Sequence, residues 1–179
     1  MDFRSVIAPL LIVALGIVLS TTFMHAKAKA PKVGDHAPDF TGTDQQGKNI
    51  HLKELFPAHR VVLIFYPKDE SSVCTQQLCS VGTMIPKLPA DVVVIGISSD
   101  SAASHTSFAA HHNLPFSLIS DPKGKIRTRY GAYTLGFVPD RATIIINNKG
   151  IITHRLDGLM NILSAKKHIE LLRSVFLGQ

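Results

Sequence analysis

Only two of the 179 residues are cysteines, Cys74 and Cys79, and they stand five apart directly after an apolar run from Val61 to Tyr66. The intervening Pro67-Lys68-Asp69-Glu70-Ser71-Ser72 provides a helix start, because a serine oxygen accepts a hydrogen bond from an orphan amide two or three residues on. Cys74 then falls in the first turn. There the helix dipole and unpaired N–H groups favour a negative charge, so a thiolate is stabilised relative to that of a free cysteine. The thiolate is the nucleophilic form. If the helix runs regularly to Cys79, about 500° of rotation leaves the two Cα atoms about 8.6 Å apart on nearly opposite faces. A disulfide needs them within roughly 7 Å. The spacing describes two states, a wound helix with separate thiols and an opened segment in which the sulfurs join. Gly82 and Pro86 keep the downstream helix short and easily undone.

Other readings of the pair are a permanent structural disulfide, a metal site and dithiol exchange. A bridge across a four-residue gap constrains little of the unfolded chain, so its structural value is small. No histidine has a useful spacing from the cysteines, and His111-His112 are adjacent rather than one helical turn apart, which argues against a metal centre. The nine histidines read as scattered surface and capping residues. A thioredoxin-type exchange motif is C-x-x-C, whereas this chain has C-x-x-x-x-C.

These side chains need elements to hold them. Ala37 to Asp44 and Lys48 to Leu52 flank Gln45-Gln46-Gly47 and read as a β-hairpin. Val61 to Tyr66, Val92 to Ser98 and Ala142 to Ile146 are continuous apolar runs, which suit strands covered on both faces. Ser101 to Asn113 reads as a helix capped by its serine and ended before Leu114-Pro115. Phe116 to Ile119 is a short strand, and Lys125 to Tyr130 a helical turn closed by Gly131. Ile151 to Leu156 pairs with the Ala142 strand through Asn147-Asn148-Lys149-Gly150. The last helix spans Leu163 to Leu177, with Ile169, Leu172 and Phe176 on one stripe. Alternation of strands and helices predicts an α/β fold, a mixed central β-sheet flanked by helices, with an N-terminal β-hairpin.

With 45% apolar residues, the chain can bury one sizeable core. Residues 31–179 are expected to form that domain, and residues 1–28 a targeting segment. Ser5 to Met24 carry no charge, Arg4 precedes them, and Ala26-Lys27-Ala28 offers small residues for cleavage. The segment is either a cleaved signal peptide or a retained membrane anchor through residues 5–24. Both place the domain outside the cytoplasm, as a periplasmic or membrane-anchored protein. The net charge of +6 falls to +4 without residues 1–30, which hold Arg4, Lys27, Lys29 and Asp2. The basic cluster Lys123, Lys125, Arg127 and Arg129 has one aromatic neighbour and no nucleic-acid motif, so it reads as a solvated face.

The stretch around Cys74 resembles the peroxiredoxins of the bacterioferritin-comigratory or Q-type subfamily. Their P-x-x-x-[ST]-x-x-C signature reads Pro67-Lys68-Asp69-Glu70-Ser71-Ser72-Val73-Cys74 here. Further matches are Val33-Gly34-Asp35-His36-Ala37-Pro38-Asp39-Phe40, Gly96-Ile97-Ser98-Ser99-Asp100, Leu114 to Asp121, Tyr130-Gly131 and Arg141-Ala142-Thr143. The chain departs at Ser71-Ser72-Val73, where the subfamily usually has Thr-Pro-Gly.

The resemblance implies a thioredoxin-like fold and a thiol peroxidase acting on hydrogen peroxide and alkyl hydroperoxides. It makes Cys74 the peroxidatic and Cys79 the resolving cysteine, in an intramolecular disulfide cycle. Ser71 would hydrogen-bond the sulfur and the peroxide, Pro67 would shield the pocket, and Arg141 would stabilise the thiolate. A thioredoxin-like dithiol protein would recycle the disulfide, and the protein would be a monomer or weak dimer, with no metal, haem or flavin. Two rivals remain: an exported thiol-disulfide exchange protein, and a non-catalytic exported module with a structural Cys74–Cys79 bond.

Overall fold

A computed structural model of the chain describes residues 30–134, 138–158 and 162–178. The expected targeting segment, residues 1–28, lies outside the described residues. Near the N-terminus, Asp44 shapes the first turn, its Oδ1 accepting from the amides of Gln46 and Lys48 at 2.9 Å each. Gly47 supplies the left-handed φ of 81° that completes it. Strands β1 (Thr41–Thr43) and β2 (Asn49–His51) pair antiparallel across this turn. The expected hairpin is present but shorter, because Leu52 opens a one-turn helix, α1 (Leu52–Leu55).

The three apolar runs are the central strands β3 (Arg60–Phe65), β4 (Val92–Ser98) and β8 (Arg141–Ile146). With β5 (Ser117–Ser120) and β9 (Ile152–Gly158) they form a five-stranded mixed sheet in the order β5-β4-β3-β8-β9. The pairs β3/β4 and β4/β5 are parallel, whereas β3/β8 and β8/β9 are antiparallel. Val61, Leu63 and Phe65 belong to the core on one face, Val62, Ile64 and Tyr66 to the core on the other. Both faces are covered, which is why the run shows no polar alternation.

Helices α2 (Ser72–Met84), α3 (Ala102–His111), α4 (Lys125–Tyr130) and α5 (Ile162–Leu177) complete the layers, with the two-residue strands β6 (Tyr133–Thr134) and β7 (Val138–Pro139) beside them. Ser101 caps α3 as expected, its Oγ accepting from the Ser104 amide at 3.2 Å. Gly131 ends α4 with a φ of 64°, a left-handed conformation that side chains with a Cβ resist. On α2, Cys74, Leu78, Val81 and Met84 face inward, in the same core as Leu172 of α5. The cysteine is therefore part of the packing and not an ornament on the surface.

Candidate active site

Strand β3 runs into the loop from Pro67 to Ser71, and α2 starts at Ser72, where the serine pair predicts it. The cap differs from the expectation. Ser71 has the extended backbone of an N-cap residue, but no side-chain cap forms, and its Oγ donates to the Lys68 carbonyl at 3.1 Å. No acidic side chain stands in the first turn either. This helix start therefore lacks a contribution that is typically about 1 kcal/mol. Pro67 is half-buried at the head of the loop.

Cys74 is buried, 1% exposed, and its thiol is free. The antiparallel register Phe65↔Ala142 sets Arg141, the first residue of β8, beside the end of β3. Arg141 is itself only 3% exposed. Its Nη2 donates to Cys74 Sγ at 3.3 Å, and its Nη1 donates to Gln77 Oε1. Gln77 lies three residues after Cys74 and so on the same helical face. That buried glutamine was not anticipated, although an i, i+3 search from Cys74 finds it. It aims the guanidinium at the sulfur.

Cys79 is a free, partly buried thiol on the same continuous helix. Burial, and after it the Glu70 carboxylate, push its pKa up. The two thiols are thus separate, which is the wound state of the pair and not a structural bond.

The solvated-face reading fails at Arg127, which is 1% exposed. Its guanidinium donates to the carbonyls of Tyr66 and Asp140 at 2.7 Å each and of Ala132 at 3.1 Å. Burial pulls its pKa down, opposed by the charges of Tyr133, Asp121 and Asp140. Tyr66 and Asp140 immediately precede Pro67 and Arg141. One buried cation therefore ties together the backbone on both approaches to the site through their carbonyls.

Two histidines also leave the surface reading. His105 is fully buried, with Nδ1 at 2.8 Å from Asp69 Oδ2. Asp69 also accepts from Tyr66 Oη at 2.8 Å and Ser104 Oγ at 2.7 Å. Burial opposes its ionisation, but these hydrogen bonds outweigh it and hold the carboxyl below its usual range. The loop ahead of Cys74 is anchored through this network.

His168, 1% exposed, places Nδ1 at 2.9 Å from Thr143 Oγ1, and burial, then the charge of Arg141, push its pKa down to about 4. Its unfolded value is near 6.5, so the unfolded chain binds more protons between the two, and stability falls as pH drops through that window. From pH 6.5 to 5 the loss from this residue is about 1.5 kcal/mol. A His168→Gln protein should lack that part of the acid slope in urea denaturation. Parallel slopes for the two proteins would contradict the assignment.

Residues 33–155 match the AhpC/TSA family. The chain is 40% identical over 139 residues to a chloroplastic peroxiredoxin Q of Triticum aestivum, covering 76% of this chain and 62% of that protein. It is 39% identical over 122 residues to a chloroplastic peroxiredoxin Q of Arabidopsis thaliana, covering 66% of this chain and 56% of that protein. The chain thus spans less than two thirds of these relatives' length. Among solved structures, the peroxidoxin BcpB of Mycobacterium tuberculosis superposes with a TM-score of 0.69 at 27% identity, over 80% of this chain and 97% of that one. Xylella fastidiosa PrxQ gives a TM-score of 0.71 at 20% identity, over 82% and 98%, a likeness of fold. The expected thioredoxin-like fold is therefore present.

The expected location is corrected by these relatives. An exported, periplasmic or membrane-anchored domain was inferred from residues 5–24, whereas the matching plant proteins are chloroplastic. Among the described residues no helix is long and apolar enough to cross a membrane. An uncharged apolar stretch states a length and a hydropathy, and these do not by themselves name a compartment. The match, by contrast, extends through both cysteines and Arg141 in one unbroken span, and on that ground the chain belongs to the AhpC/TSA family, with peroxiredoxin Q proteins among its relatives.

Proposed function

We propose that this protein is a thiol peroxidase that reduces hydrogen peroxide and alkyl hydroperoxides with Cys74. The observation that carries this reading is the Arg141 guanidinium 3.3 Å from Cys74 Sγ inside a buried site. A fixed cation beside a nucleophilic sulfur opposes the negative charge that spreads over the sulfur and the departing oxygen as an O–O bond breaks. In the first step the Cys74 thiolate attacks one peroxide oxygen. The S–O bond forms, the O–O bond breaks, and the leaving oxygen takes a proton to depart as water or alcohol, leaving a sulfenic acid. Two electrons pass from sulfur to peroxide. Cys79 then attacks that sulfur, water leaves, and a Cys74–Cys79 disulfide results.

The second step requires α2 to open between residues 74 and 79, because a regular helix holds their Cα atoms about 8.6 Å apart. The missing side-chain cap at Ser71 reduces what that opening costs. Pro67 and Ser71 line the approach in this reading, and a thioredoxin-like dithiol protein returns the disulfide to two thiols. Dithiol exchange on protein substrates fits less well, since it has no use for a buried arginine on the first sulfur.

Mass spectrometry tests the cycle. One equivalent of hydrogen peroxide should remove two hydrogens from the protein, mapped to Cys74 and Cys79. A Cys79→Ser protein should stop at a sulfenic acid on Cys74 that a carbon nucleophile such as dimedone traps. Absence of adduct at Cys74 would falsify the proposal.

A further inference from the structure

The loop ahead of α2 meets the end of α3 through three side chains that the peroxidase chemistry does not use. Glu70 stands in the left-handed region, with a φ of 54° unusual for a residue with a side chain. This conformation brings its carboxylate to His111 and His112. His111 Nδ1 lies 3.2 Å from Oε1, and His112 Nε2 lies 3.0 Å from Oε2. The three ligand atoms fall within 4.8 Å of one another. Tetrahedral zinc takes histidine nitrogen and carboxylate oxygen at about 2.0–2.1 Å, which sets neighbouring ligand atoms roughly 3.3 Å apart. Each carboxylate–imidazole pair therefore already has the length of a coordination edge.

The setting also favours a cation. His111 is the last residue of α3 and His112 its C-cap, so both rings stand at the helix end that carries partial negative charge. The rings lie side by side, centroids 4.4 Å apart and planes inclined by 33°, which leaves both nitrogens facing the carboxylate. His111 is 71% exposed and Glu70 51%, so an ion can enter from solvent. Adjacent histidines in sequence argue against a metal centre; the third donor, 41 residues away, is supplied by the fold.

We propose that Glu70, His111 and His112 bind a divalent transition-metal ion of the zinc type and that the bound ion staples the loop ahead of Cys74 to α3. Imidazole and carboxylate donors suit zinc, cobalt and copper(II), with water in the fourth position. A stapled loop restrains the first turn of α2, and so slows the opening that brings Cys79 to Cys74. This consequence rests on the peroxidase reading; the binding does not.

The full chain carrying Cys74→Ser and Cys79→Ser, which keeps thiols out of the coordination, is titrated with Zn²⁺ by calorimetry and with Co²⁺ by visible absorption. One equivalent should bind, with the stronger d–d bands of tetrahedral cobalt. Adding Glu70→Gln, or separately His111→Ala, should weaken binding at least about tenfold. No binding, or equal binding in these variants, overturns the site. In the wild-type cysteine background, Zn²⁺ should slow disulfide formation after peroxide addition, and His111→Ala should remove that effect. An unchanged rate in zinc-loaded protein overturns the staple. A protein that binds zinc yet fails to react with peroxide sinks the peroxidase reading and leaves the metal site standing.

Discussion

An Arg141→Met protein is expected to react with hydrogen peroxide about 10²–10³-fold more slowly than the wild type, the loss seen when one preorganised donor to developing charge is removed. Methionine keeps much of the arginine's length, so the effect isolates the guanidinium. Its Nη2 donates to Cys74 Sγ and its Nη1 is tied to Gln77, so the charge is already aimed before substrate arrives. Both partners are buried, which keeps water from screening the interaction. The measurement is the second-order rate of loss of the Cys74 thiol under excess peroxide in a Cys79→Ser background, which separates the first step from disulfide formation. A rate within threefold of wild type would remove Arg141 from the chemistry. Arg141→Lys should recover only part of the loss, because an ammonium cannot contact the sulfur and the Gln77 amide oxygen as a planar fork does.

The second large effect is on stability. Arg127→Met should lower the unfolding free energy by about 2–3 kcal/mol, since buried carbonyls lose a charge-assisted donor, a loss offset in part because the guanidinium no longer has to be desolvated. The carbonyls concerned belong to Tyr66 and Asp140, while Ala132, which the same guanidinium also reaches, keeps the Asp140 amide as a donor at 3.2 Å. Urea denaturation reads the change, and a loss below about 1 kcal/mol would show that these carbonyls find other partners. The same variant should also slow peroxide reduction in the fraction that remains folded, because Tyr66 and Asp140 carry the backbone into Pro67 and Arg141. Arg141→Met, in contrast, is predicted to act on rate first. The two arginines thus separate aiming the charge from holding the frame.

How legible all this was differs from residue to residue. The strands at Val61, Val92 and Ala142 were read to within a residue, because a strand buried on both faces is built mostly of apolar side chains and the pattern is local. Helix α4 and its Gly131 stop were read for a similar reason: the left-handed backbone selects glycine in the sequence itself. The start of α2 was placed correctly at the serine pair, yet the hydroxyl expected to cap it donates to Lys68 instead. Competition between two nearby acceptors and donors is settled by loop geometry, which no residue type announces. Residues 1–28 were read as a signal peptide or a membrane anchor, and the export inferred from them is overturned by relatives that are chloroplastic.

By itself, then, the sequence determined what depends on short-range rules: the elements, a cysteine at a helix start, and a second thiol out of reach on the same helix, whereas Arg141 was singled out only by the family resemblance. Tertiary structure alone decided which distant groups meet. The β3/β8 register carries Arg141 across 67 residues to Cys74, and the ends of three strands bury Arg127, which looked like one charge in a basic surface run. Glu70 reaches the two histidines for the same kind of reason. A charge is placed by the carbonyls, thiols and carboxylates that surround it in three dimensions, and those neighbours are chosen by strand order and loop path, to which the spacing of residues along one segment is blind.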